Sequence, residues 1–74
     1  MTHLQQTCVA MATVQALMVR IAAHQRIYLA QGDVGHAEAA KRLLRQHRED
    51  LAYLGQCLVL HAAANDATTL PGAA

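Results

Sequence analysis

Five histidines and two cysteines in 74 residues are the side chains best suited to chemistry in this chain. A neutral imidazole ligates metals and moves protons, and a thiolate is a nucleophile or a metal ligand. Spacing limits what these residues can do together. His3, His24, His36, His47 and His61 include no two that lie three or four residues apart, so no two of them share adjacent turns of one helix. His36, His47 and His61 fall on the apolar side of the second predicted helix, three turns or more from one another, too far apart to hold one ion. They are expected as boundary histidines with a partner in the dimer seam, and neither a metal nor another cofactor is expected. Cys8 and Cys57 form no CxxC pair and no zinc spacing. They read as reduced thiols packed as small apolar groups. With a bend at residue 33 they lie at similar heights, which leaves a disulfide open. Serine is absent, neither cysteine is expected to neighbour a histidine in sequence or in the expected turn, and no glycine-rich phosphate loop occurs. No catalytic residue is assigned, and no enzymatic activity is expected.

The elements that carry these residues are helices. Hydrophobic residues make up 54% of the chain, yet its only aromatics are two tyrosines. Ala, Leu, Val and Met dominate, which favours helix over strand. No alternating strand pattern and no hairpin dipeptide such as Asn-Gly is present. At 100° per residue, Leu4, Met11, Val14, Leu17, Met18, Ile21, Tyr28 and Leu29 share one face of a helix over about residues 3–31. Thr7 and Gln25 interrupt that face, as polar register devices do in helix seams. A second helix over about 34–64 carries Ala40, Leu43, Leu44, Leu51, Leu54, Leu58 and Ala62 on its apolar stripe. Between them, Gly32 suits the left-handed position that closes a helix, and Asp33 suits the N-cap of the next. So short a connection turns the helices back on each other. Asn65-Asp66 predicts the stop, which gives one helical hairpin domain over 1–66 and a flexible tail over 67–74.

The stretch "YLAQGDVGHAEAA" resembles the inner turn of a tetratricopeptide repeat. The likeness covers about one repeat. Lys41 stands where that family wants a large apolar residue, there is no second copy, and the helices are about twice too long. A single long antiparallel hairpin fits better. Two helices alone cannot enclose a core, and Val9, Val19 and Ile27 lie off the main stripe. The expected fold is therefore all-α: a hairpin that homodimerises into a four-helix bundle. Met11, Leu17, Met18, Ile21, Leu43, Leu51, Leu54 and Leu58 are its expected core and dimer residues. In size and layout this is similar to a small plasmid-encoded RNA-modulator hairpin and to the short helical co-chaperones of type III secretion, without a shared motif.

Net charge is +1, too small for a global field toward nucleic acid or membrane. The cations are nevertheless concentrated, since all six lie between Arg20 and Arg48. Glu38, Glu49 and Asp50 lie among Lys41, Arg45 and Arg48, where ion pairing along a solvated helix is expected. A partner-binding patch is expected at Arg20, Arg26, Ile27, Tyr28, Lys41, Arg42, Arg45 and Arg48, because arginines around aliphatic and tyrosine anchors suit protein recognition. The functional expectation is a small non-enzymatic regulator or adaptor that binds and inhibits or modulates another protein. Small inhibitors encoded by phages or mobile elements are the analogous class. The alternatives are a dimeric RNA- or DNA-binding modulator using the basic face of the second helix, and a helical co-chaperone subunit of a secretion system. No aromatic is interleaved with the cations for base stacking, which disfavours single-strand binding. The N-terminus carries no Lys or Arg before its apolar stretch, and that stretch includes Thr13, Gln15 and Arg20. A cytoplasmic protein without membrane insertion is expected.

Overall fold

A computed structural model describes residues 2–69, with side chains through Ala64. It contains two helices, α1 (His3–Ala30) and α2 (Val34–Thr69), packed against each other as a hairpin. The start of α1 is fixed by a capping box. The Gln5 N–H donates to Thr2 Oγ1 at 3.1 Å, and the Thr2 N–H donates to Gln5 Oε1 at 2.9 Å. At the other end Gly32 takes φ of 74°, in the left-handed region. The Gly32 N–H donates to the Leu29 carbonyl at 3.1 Å and the Asp33 N–H to the Tyr28 carbonyl at 2.8 Å. These two bonds form a Schellman closure, which uses carbonyls that the helix end would otherwise leave unpaired. Asp33 then opens α2, its Oδ1 accepting from the His36 N–H at 3.2 Å. The predicted division of labour between Gly32 and Asp33 is the one observed.

Two aromatic contacts set the register between the helices. His3 stacks on His61 with ring centroids 6.0 Å apart, and Tyr28 lies 5.1 Å from His36. The numbers of each pair add to the same total, so the helices run side by side without a slip between these points. The shielded residues follow from this register. On α1 they include Leu4, Thr7, Met11, Val14, Met18, Ile21, Gln25 and Tyr28. On α2 they include Ala37, Ala40, Leu44, His47, Leu51, Leu54, Leu58 and His61. Steps of three and four residues alternate on both helices, which is the heptad spacing of a coiled-coil seam. On this register Met11 stands within one residue of level with Leu54, Val14 with Leu51 and Ile21 with Leu44.

The sequence expectation is corrected at three points. Leu17, Leu29 and Leu43 are not in the seam; they flank it, with 39%, 57% and 45% of their surface exposed. Each lies one residue away from a seam position, about 100° round the helix. Second, α2 does not stop at Asn65-Asp66 but continues to Thr69. Asn and Asp cost a helix only tenths of a kcal/mol relative to Ala, roughly ~0.5–0.7 each, and no Gly or Pro intervenes between Gly55 and Pro71. The predicted tail thus begins in helix, and its residues 70–74 lie outside the described residues. Third, the sequence offers Gly55 as a place where another backbone could approach closely, and within the hairpin it is not one, because nothing lies within 4 Å of where its Cβ would be.

The rod measures 65 × 18 × 12 Å. Its smallest dimension is that of one helix with side chains, about 10–12 Å, so no second layer covers either broad face. Among the described residues, Ala37, Ala40 and Leu44 are the only apolar side chains buried.

Candidate functional site

The seam divides the surface of the hairpin into two unlike sides. Residues just before a seam position lie on one side and residues just after it on the other, and an antiparallel pair brings like flanks together. The first side includes Ala10, Leu17 and His24 of α1 with His36, Leu43, Asp50 and Cys57 of α2. The second includes Cys8, Gln15, Ala22 and Leu29 of α1 with Lys41, Arg48 and Gly55 of α2.

On the first side, toward the turn, lies an open groove of about 340 Å³. Leu17, Ile21, Tyr28, Ala39, Ala40 and Leu43 supply its apolar walls, and Arg20, His24 and His36 its rim. The small residues Ala39 and Ala40 create the depression, because they leave space between larger neighbours. The rim is organised by hydrogen bonds. His24 Nδ1 lies 2.8 Å from the Arg20 carbonyl. A carbonyl can only accept, so this nitrogen carries the proton and Nε2 faces outward as the acceptor of the neutral ring. His36 Nδ1 meets Asp33 Oδ2 at 2.7 Å. The Asp33 carboxyl is held below its ordinary value of 3.8, first by the His36 backbone N–H and second by the His36 ring.

The second side carries the basic residues. Lys41, Arg45 and Arg48 follow one another at four and three residues along α2, with Arg26 on the same side of α1. All are exposed. The ion pairs expected with Glu38, Glu49 and Asp50 are absent: among the described residues no Lys or Arg nitrogen comes within 4.0 Å of a carboxylate oxygen. The predicted partner patch is therefore not one surface. Arg20 and Tyr28 belong to the groove, and exposed Ile27 lies on that same side. Arg26, Lys41, Arg45 and Arg48 lie on the opposite side. Arg42 projects from the back of α2.

The histidines and cysteines are also redistributed. His47 and His61 lie in the seam, half-shielded, and the His47 Nδ1–H donates to the Leu43 carbonyl at 2.7 Å. Thr7, the one buried polar residue among the described residues, donates its hydroxyl to the His3 carbonyl at 2.9 Å. Thr7 and His47 satisfy themselves within their own helix, so neither fixes the facing helix by a hydrogen bond. Cys57 precedes His61 by one helical turn, a proximity readable from the i, i+4 spacing. Among the described residues no group of three or more His, Cys, Asp or Glu side chains gathers to hold a metal ion. Both cysteines are free. They stand at the same height, as their numbering implies, but they flank opposite sides of the seam.

Helix α1 meets the length and composition of a membrane-crossing helix, with mean hydropathy 1.3 over 18 residues. That apolarity has two sources: the seam, and exposed residues such as Val9, Val19 and Ile27. No protein-family model matches the chain, and neither a curated protein nor a solved structure matches it. The class defined here is a two-helix hairpin that offers an apolar groove on one side and a basic face on the other.

Proposed function

We propose that this chain is a small non-enzymatic regulator or adaptor that acts through its helical surfaces. It homodimerises into a four-helix bundle in the cytoplasm and docks a protein partner, whose activity it inhibits or modulates. One observation carries the reading: the fold exposes far more large apolar side chains than it buries. Val19, Tyr53, Val59 and Leu60 are each about two-thirds exposed, at 69%, 66%, 67% and 68%. Exposed apolar surface on this scale marks association surfaces. The groove supplies a shaped apolar surface for self-association, and the cations of the opposite side supply steering for an acidic partner.

A second reading is a dimeric nucleic-acid modulator, favoured by the line of Lys41, Arg45 and Arg48, none of whose nitrogens comes within 4.0 Å of a carboxylate oxygen among the described residues. Salt separates the two. Phosphate contacts weaken steeply as salt rises, by roughly one power of salt concentration per phosphate neutralised, whereas apolar docking survives. Sedimentation gives the oligomeric state. Titration of the partner captured from cells, then purified, and of mixed-sequence RNA and DNA at about 50 and 300 mM salt gives the ligand class. Salt-resistant protein binding supports the regulator. Binding only to nucleic acid, with a steep salt slope, replaces it with the second reading. Flotation with lipid vesicles instead would assign the apolarity of α1 to a membrane.

A further inference from the structure

Dimerisation leaves open which face meets the second copy, and in which direction. Resting on the homodimer reading above, we propose that a second copy covers the groove side. The two hairpins run antiparallel, with the two-fold axis crossing at Leu17.

Area sets the requirement. A compact monomer of 8.0 kDa exposes roughly ~4,450 Å² by the usual scaling of surface with mass. This chain exposes 5577 Å², an excess of roughly ~1,100 Å² over that scaling. A standard interface removes about ~800 Å² from each partner. An excess of this order is what covering one broad face of the rod with a copy of itself would remove.

Charge chooses the face. The basic side carries Arg26, Lys41, Arg45 and Arg48 against Glu38 alone. Covered by its own copy, it would take four cations per copy out of water against one carboxylate and set Arg48 against itself across the axis, which costs free energy. The groove side carries one Arg and one Asp, Arg20 and Asp50, so self-contact there opposes no net charge. It also exposes Leu17, Ile27, Leu43, Tyr53 and Leu60.

Charge along the rod chooses the direction. Every Lys and Arg lies between residues 20 and 48, the turn half. The open half, residues 2–19 and 51–64, contains no Asp, Glu, Lys or Arg at all. Parallel hairpins would concentrate all the cations of both copies at one end. Antiparallel hairpins separate the two turn ends by the length of the rod, and each uncharged open half lies on the groove of the other copy.

Register follows from the heptads. Leu17 stands midway along the two-helix overlap, so an axis there keeps the full length in contact. It brings Leu17 against itself, and Leu43 level with Tyr53 of the second copy. It sets Ala39 level with Cys57 and Gln46 with Asp50, each of the second copy, pairing small with small and polar with polar. The two basic sides then face outward on opposite surfaces of the bundle, open to partners.

Disulfide trapping tests this. In a Cys8→Ser, Cys57→Ser background, Leu17→Cys and Val19→Cys lie two residues apart on opposite sides of α1. Mild oxidation should link most Leu17→Cys chains into covalent dimers that keep their helicity, and Val19→Cys should remain unlinked. Linking at Val19 and not at Leu17 overturns the choice of face. If Leu17→Cys lowers helicity, mixed chains carrying Ala10→Cys and His24→Cys replace it, because the same axis brings those positions together. A dimer by sedimentation in which neither Leu17 nor the 10/24 pair links overturns the antiparallel register and leaves dimerisation intact. A monomer by sedimentation at every concentration fails the underlying reading instead.

Discussion

At the scale of single residues, the turn concentrates the most testable chemistry. The φ of 74° at Gly32 lies in a region that costs an L-residue about 1–2 kcal/mol. Nothing lies within 4 Å of where a Cβ would stand, so the cost of a side chain there is conformational, not steric. Gly32→Val should therefore lower the melting temperature. A D-alanine at 32, introduced by chemical synthesis, should raise it, because it restricts the unfolded chain without straining the folded one, an effect of ~0.4–1 kcal/mol. Equal melting temperatures for both variants would mean that the left-handed turn does not exist in solution. Asp33 gives a pH prediction. Its carboxyl is held below 3.8 by the His36 N–H and ring. A depressed carboxyl contributes stability that is present in full above its unfolded pKa and lost as pH falls through the folded one. Asp33→Ala should thus melt several degrees below the parent chain at pH 7, and the gap should narrow on titration to about pH 2. A gap that does not change with pH would remove the ionised cap from the account. Both residues were legible in the sequence, because backbone conformation and capping depend on neighbours only a few positions away.

At the scale of the helices, legibility was partial, and the seam explains why. A heptad is easy to read when apolar residues fill it. Here Thr7, Gln25, His47 and His61 occupy seam positions, and Ala37 and Ala40 fill two more with little bulk. Meanwhile Leu17, Leu29 and Leu43 stand just outside it. A hydrophobicity pattern therefore draws a broad stripe centred off the true contact line. The aromatic contacts at the two ends supply the register that the pattern lacks. The capping box at Thr2 and Gln5 carries a sequence signal, Thr followed three residues later by Gln, that the expected start near residue 3 did not use, whereas the continuation of α2 past Asn65-Asp66 carries none, since weak helix formers end a helix only when no packing or propagation opposes them. Two substitutions test the assignment. Leu54 is half-shielded in the hairpin. Leu54→Ala should cost about 2 kcal/mol, visible as a cooperative drop in the denaturation midpoint, with exposed Leu60→Ala costing less in the isolated hairpin. Gly55 sits inside α2 with open space around it. Gly55→Ala should stabilise by up to about 1 kcal/mol. A loss of stability there would show that another chain approaches the backbone closely at that point.

At the scale of the whole molecule, the two sides of the rod make a separable prediction. Sequence alone gathered every cation near the turn into one patch, because proximity to the bend is legible and the side of the seam is not. Lys41 follows the seam residue Ala40, while Leu43 precedes Leu44, and that single difference puts them on opposite sides. With the groove side against a second copy, the basic side is left to recruit a partner. On that proposal charge there would steer encounter and salt dependence, and the neighbouring exposed Val19 and Leu29 would supply apolar contact. Lys41→Glu with Arg45→Glu should weaken partner binding by at least tenfold at low salt, chiefly through slower association, and leave the sedimentation coefficient unchanged. Leu17→Glu with Leu43→Glu should do the opposite first. It should break the dimer, and partner binding should fall only as far as it depends on two basic faces acting together. Stopped-flow association rates and sedimentation on the same four proteins, the parent, each double variant and their combination, separate these effects. If the basic-face variant loses its dimer while the groove variant keeps it, the two sides have exchanged roles, and the basic side is the one that meets its own copy.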